Sequence, residues 1–341
     1  MPTGGVKALR KVQIGVEATK GTAVPATHIL LADCDVDLSG YELYRNTHPA
    51  GVLTEHLGPT ALLKKDVDLK LSAEAISYQQ LAWWLSLSLD QPATTGAGPY
   101  VHTFDPGVAA LWNPHSATVE LHYEDGTNDE DVEFEYVTAK TLRISGTQNG
   151  AVTAEIDCFA RQVTDAAVTS LTIPTTLNPI LVAHAKYYIN DTWALAFVAA
   201  PVAGIVSNQI ISFNLEVDVG QFPWHGIEGA TTFAEAKERH KNARLTVRSL
   251  YNPNAATEGA AAERVHAAAG DLRFPTISFT GPGNMKLHIA MSGKHENGEF
   301  LVQGDEDGLD VTEMTFVGHY DPTGAKLIAA VLTNDTVTAL G

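Results

Sequence analysis

The sequence predicts a mainly β protein with two tandem antiparallel sandwich or barrel-like domains, each carrying one flanking α-helix and one long protruding loop. Three observations predict it. Apolar residues recur with period two in segment after segment, only two segments carry a helical pattern, and the order of elements repeats along the chain.

In the first half, Cys34, Val36 and Leu38 alternate with Asp33, Asp35 and Asp37, and Val67, Leu69 and Leu71 alternate with Asp66, Asp68 and Lys70. Val132, Phe134 and Tyr136 alternate with Glu133 and Glu135, and Val152, Ala154, Ile156 and Cys158 with Thr153, Glu155 and Asp157. The second half repeats the signal at Phe213, Leu215, Val217 and Val219, at Leu245 and Val247, and at Leu287, Ile289 and Met291. Such alternation gives each strand one buried face and one wet, often acidic, face. The two helical segments are 73–89, with Ser72 as expected N-cap and Ile76, Trp83, Trp84 and Leu87 on one stripe, and 255–270, Ala-rich and closed by Gly270 at a C′ position. Each helix follows the same series: a strand, a long loop (39–65 or 220–241), then a returning strand. The Thr- and Ala-rich stretch 164–176, ending near Pro174, divides the chain into expected domains 1–165 and 166–341.

Long loops inside compact domains tend to be functional. These two combine Gly, Pro, His and Thr with apolar groups that a solvated loop does not need: Tyr41, Leu43, Tyr44, Leu53 and Leu57 in the first, Phe222, Trp224 and Phe233 in the second. Exposed apolar residues on an extended loop mark a partner surface, so these eight are the candidate subunit interface; folding back on their own domain is the alternative.

Composition excludes several function classes. Forty Asp and Glu stand against 22 Lys and Arg, a net charge of −18, and no basic run exceeds Lys64–Lys65, so the chain lacks the phosphate-neutralising clusters of a nucleic-acid binder. The longest apolar run, 194–206, is broken by Pro201 and Gly204, so no membrane span is expected. The opening MPTGGVKALRKVQIG has basic residues but no apolar stretch after them, unlike a secretory signal. Cys34 and Cys158 sit in apolar alternation as reduced core residues, too few for a thiolate zinc site. Nucleophile-elbow, phosphate-loop and dinucleotide fingerprints are missing. His48, His56, His225 and His240 fall in or beside the loops without metal-ligand spacing, and Asp305, Asp307 and Glu313 do not match the twelve-residue calcium loop. No catalytic residue, cofactor or metal is therefore expected.

Four segments carry a resemblance. IGVEATKGTAVPATHIL (14–30), GPYVHTFDPG (98–107), the run through LRISGTQNGAVTAEIDCFARQ, and NPILVAHAKYYINDTW (178–193) followed by IISFNLEVDVG resemble, in that order over about two-thirds of the chain, the tail tube proteins of long-tailed bacteriophages. The length matches the double-length, two-domain form of that family. The resemblance implies a non-enzymatic virion protein, assembled in the bacterial cytoplasm, whose partners are itself, a tape measure protein and tail tip or terminator proteins. Three chains of two units each would form a pseudo-hexameric ring, and stacked rings would form a hollow tube. DNA would pass through the lumen without specific binding. A tube that passes DNA gains from a lining that repels phosphate, so the wet faces of Asp33, Asp35, Asp37, Glu216 and Asp218 are candidate lumen residues, with the solvated outer wall as an equal alternative. Two other readings compete: a different phage tail or decoration protein, and a carbohydrate-binding or hydrolytic β-sandwich.

Overall fold

The computed structural model describes residues 10–44, 61–107, 111–124, 129–197, 205–207, 210–226, 231–251, 260–296, 304–306 and 308–335. The chain opens with β1 (Lys11–Val16), β2 (His28–Leu30) and β3 (Asp33–Asp37), then a small hairpin, β4 (Glu42–Tyr44) and β5 (Ala61–Lys64), and β6 (Val67–Ala73). After helix α1 (Leu81–Ser88) come β7 (Ala93–Thr95), β8 (Tyr100–Phe104), β9 (Ala117–Glu124), the 19-residue β10 (Asp129–Thr147), β11 (Thr153–Ala160) and β12 (Gln162–Asp165). The second half runs β13 (Ala185–Asn190), α2 (Trp193–Ala196), β14 (Ile205–Ser207), β15 (Ile210–Asp218), the hairpin β16 (Gln221–Trp224) and β17 (Glu235–Glu238), and β18 (Asn242–Leu250). It closes with α3 (Ala260–Ala269), β19 (Phe274–Thr280), β20 (Lys286–Met291), β21 (Gly293–His295), β22 (Gly304–Glu306), β23 (Leu309–Gly318) and β24 (Ile328–Asn334).

Thirteen of these strands form one sheet and seven a second, and every named strand pair is antiparallel. β10 organises the large sheet. Its first part pairs with β9 and β12, and its second with β11 and β15. The bend between them carries two register shifts and a left-handed Tyr136, φ 55°. A non-glycine residue pays for that conformation only when its surroundings fix it. Here the buried Glu17 carboxylate accepts the Tyr136 N–H at 2.7 Å and also the hydroxyls of Ser116 and Thr118. Strand pairing crosses the 165/166 boundary twice, β10 to β15 in the large sheet and β8 to β24 in the smaller one.

The period-two pattern explains the core. One row of neighbours across the large sheet reads Cys34, Leu71, Ile156, Leu142, Val217 and Ala243, and all six are buried in the core shared with the second sheet and α1. Burial pushes the Cys34 thiol up to about 12 and that of Cys158 well above its ordinary value, so both are unreactive core groups.

Helix α1 differs from expectation. Ser72 lies inside β6 and caps nothing, and within residues 74–80 two N–H groups go to distant backbone: Ile76 N–H to Val152 O at 2.9 Å and Tyr78 N–H to Asn178 O at 3.0 Å. The helix that remains is buried on every side, not along one stripe. Helix α3 ends as expected, with Gly270 at φ 70°.

At Gly15 in β1, an added Cβ would stand 2.5 Å from the Pro25 carbonyl oxygen. That segment cannot yield easily, because Thr27 N–H bonds to Ile14 O and Ala26 N–H to the buried Glu120. Gly15→Ala is expected to cost about 1–3 kcal/mol, seen as a lower urea midpoint; unchanged stability would show that the backbone there moves aside freely.

Candidate assembly and lumen surfaces

The face of the large sheet opposite the core is polar and acid-rich. One cross-strand row reads Asp35, Lys70, Asp157, Thr141, Asp218 and Asn242, and the next reads Asp33, Ser72, Glu155, Arg143, Glu216 and Arg244. The sequence-derived lumen candidates Asp33, Asp35, Asp37, Glu216 and Asp218, drawn from both halves, thus stand on a single face, each exposed or half-buried. Arg143 sits at its centre, 2.8 Å from Glu155, 3.0 Å from Asp157 and 3.4 Å from Glu216. Lys70 pairs with Glu155 at 2.9 Å and Lys140 with Asp68 at 2.6 Å. Carboxylates still outnumber cations in these two rows, six of them (Asp33, Asp35, Asp157, Glu155, Asp218 and Glu216) against Lys70, Arg143 and Arg244. At the edge, the Ser39 backbone N–H and hydroxyl both bond to Asp37 and hold its carboxyl below the usual range.

Both long loops leave the same rim of this sheet. The β4–β5 hairpin leaves after Asp37 and returns at Val67; the β16–β17 hairpin leaves after Asp218 and returns at Asn242, all at the ends of neighbouring cross-strand rows. They touch one another. Lys65 N–H donates to Thr231 O at 2.7 Å, and Asp66 takes His225 Nε2 at 2.8 Å and Lys64 Nζ at 2.7 Å. The bond to Asp66 also raises the Lys64 pKa.

The eight apolar loop residues separate by environment. Phe233 is fully buried within its own chain, packed against Phe159 and Tyr136 at ring distances of 5.3 and 5.2 Å. It seats the second hairpin on the sheet. Tyr41 is half-buried against the main core, and Phe222 is half-buried in β16. Leu43, 56% exposed, and Trp224, 53% exposed, project from the two hairpins. Leu53, Leu57 and the Tyr44 side chain lie outside the described residues, as do His48 and His56.

Phe159 was legible but unread: it occupies a wet-face position of β11, and a Phe there requires a cover, which the second hairpin supplies. A second missed feature is the run Arg239–His240–Lys241, which forms part of a cavity with Trp112 and Tyr320. Among the described residues no group of three or more His, Cys, Asp or Glu is placed to hold a metal ion, and no helix is long and apolar enough to cross a membrane. Asp305 stands opposite Asp310 in the β22–β23 pair, and Glu313 opposite Arg248.

The arrangement is one of surfaces: a broad acidic face, two joined hairpins at its rim, and on each hairpin an exposed apolar side chain, Leu43 or Trp224. Comparison with curated proteins gives no match. The profile of a family described as Phage tail tube protein matches residues 8–221, well over half of the chain and across both halves of the large sheet. With this β-rich sandwich and that match, the chain belongs to the phage tail tube protein family and is a structural protein of the phage tail.

Proposed function

We propose that three chains close one ring, each supplying two tube units, 1–165 and 166–341, and that rings stack into the tail tube with no catalytic role. The supporting observation is the continuous face on which Asp33, Asp35 and Asp37 of one half meet Glu216 and Asp218 of the other. A closed ring removes sheet edges that would otherwise pair at random. With that face inward, a ring carrying 3 × −18 = −54 formal charges presents DNA with a wall that repels phosphate at close range, while salt screens it beyond about 10 Å. DNA then slides through without being held. The tape measure protein would occupy the lumen before the DNA, and tip and terminator proteins would cap the two ends. The exposed Leu43 and Trp224 on the joined hairpins form the contact between subunits or rings.

Electron microscopy of the purified protein tests both parts. Ring averages should show three chains as six similar lobes per layer; six whole chains per layer would refute the trimer. The pair Leu43→Ser with Trp224→Ser should leave the melting temperature nearly unchanged, since both side chains are exposed, yet reduce ring and tube formation. Assembly equal to that of the parent removes the hairpins from the contact.

A further inference from the structure

We infer that the cavity between Trp112, Arg239, Lys241, Tyr320 and Leu327 receives the tip of the β22–β23 hairpin of a second copy, so that stacked layers key head to tail. The inference rests on the tube reading above.

The cavity, about 390 Å³, lies at the rim where β18 begins and β23 ends at Gly318. Its walls are rich in donors. Trp112 is only 4% exposed, and its indole N–H has no hydrogen-bond partner among the described residues. Lys241 Nζ stands 4.8 Å above the Trp112 ring and 2.8 Å from Glu238. The Arg239 side chain is largely in solvent and comes no nearer than 4.0 Å to Asp218. Tyr320 is more than half exposed. Leu327 adds an apolar patch. In a chain of net charge −18, such a site calls for carboxylates accompanied by an apolar side chain.

The chain carries that complement at the other end of the same strand. β23 begins at the tip of the β22–β23 hairpin, where Asp305 pairs opposite Asp310 and Glu306 opposite Leu309, around Gly308 at φ 80°. The tip reaches past Leu250–Val311, the last pair that β23 makes with β18. Asp310 is exposed, and Leu309 is exposed beside it. Ten residues of strand, roughly 30 Å, separate tip from cavity. In an antiparallel two-fold pair, tip and cavity would meet twice and leave neither end free for a further copy. Stacking, which the tube reading requires, instead joins them by translation along the strand and leaves one free tip and one free cavity for the next layer.

Two variants test this in the full chain. Leu309→Cys combined with Tyr320→Cys should give, on oxidation of assembled tubes, a ladder of linked chains on a non-reducing gel, which neither single variant gives; Cys34 and Cys158 are buried and do not contribute. Arg239→Glu should reduce the polymerised fraction by roughly tenfold or more, and adding Asp310→Arg should restore it. Tubes that form without a ladder, or a charge-swapped variant no better than Arg239→Glu alone, overturn the pairing and leave the tube standing. A parent chain that forms neither rings nor tubes overturns the tube reading and the pairing with it.

Discussion

Trp83→Ala is expected to lower the free energy of unfolding by about 3–5 kcal/mol and to abolish assembly at ambient temperature. Trp83 lies in α1, whose eight residues are all buried, and its ring rests 4.4 Å from that of His28. The helix packs against β10 of the large sheet and β8 of the smaller one. Truncating the indole therefore leaves a void between two sheets whose backbones are fixed by hydrogen-bonded ladders. Such a site collapses poorly, so both the transfer and the cavity contributions are lost. Urea denaturation followed by tryptophan emission and circular dichroism measures the effect, with Trp224→Ala as the exposed comparison, expected within about 0.5 kcal/mol of the parent. A Trp83→Ala chain that melts with the parent would mean that α1 is not wedged between the sheets.

Arg273→Ala is expected to cost about 3–5 kcal/mol at neutral pH, with a loss that shrinks in acid. Arg273 grips Glu263 of α3 with two nitrogens, at 2.5 and 3.0 Å, and also bonds to Asp191; His295 Nε2 reaches the same Glu263 carboxylate at 3.0 Å. Both Arg273 and Glu263 are buried, so removing the guanidinium strands a carboxylate away from water. Burial alone would raise the Glu263 pKa, but the bonds from His295 and Arg273 outweigh it and hold the folded value below the ordinary one. The contribution of Glu263 is thus complete above its unfolded pKa, about 4.3, and is lost as pH falls through the lower folded value. In Arg273→Ala the carboxyl can protonate in place, so the gap to the parent narrows as pH falls below about 4. A second acid-sensitive contribution begins earlier. Burial depresses His115 and His288, so the unfolded chain takes up their protons first, and stability declines as pH drops below about 6.5. Urea midpoints of parent and variant between pH 7 and pH 3.5 decide the matter. A gap that stays constant over that range would remove Glu263 as its source.

Much of this architecture was legible because it is local. The alternation around Leu69, Ile156, Leu215 and Val247 reports which face of each strand is buried, and the strands lie where it says. The loop–strand–helix series was legible too, and it proved to mark two hairpins on one rim. What was not legible is non-local. Residues 74–80 look helical, but backbone partners at Val152 and Asn178 claim the N–H groups of Ile76 and Tyr78 before a helix can. The alternation read at Val132, Phe134 and Tyr136 stops there; nothing in its period says that the strand runs on to Thr147 through a left-handed Tyr136. Nor does periodicity choose partners, so the pairing of β10 with β15 and of β8 with β24 is set by the packed core. For the candidate surfaces, the sequence identified acidic faces correctly as wet but could not say that faces from both halves coincide. Composition marked Phe233 as a sticky loop residue without revealing that Phe159 waits beneath it.

The passage of β10 through the bend at Tyr136 has a mechanical consequence. A strand that belongs at one end to the β9–β12 group and at the other to the β11–β15 group cannot be peeled from either without pulling on the other. Load applied to one end is carried along covalent backbone, and the hydrogen bonds on both flanks share it in parallel. The Glu17 carboxylate, clamped on the Tyr136 amide, acts as the rivet at the bend. Such a spar spreads strain over many bonds instead of concentrating it at a seam.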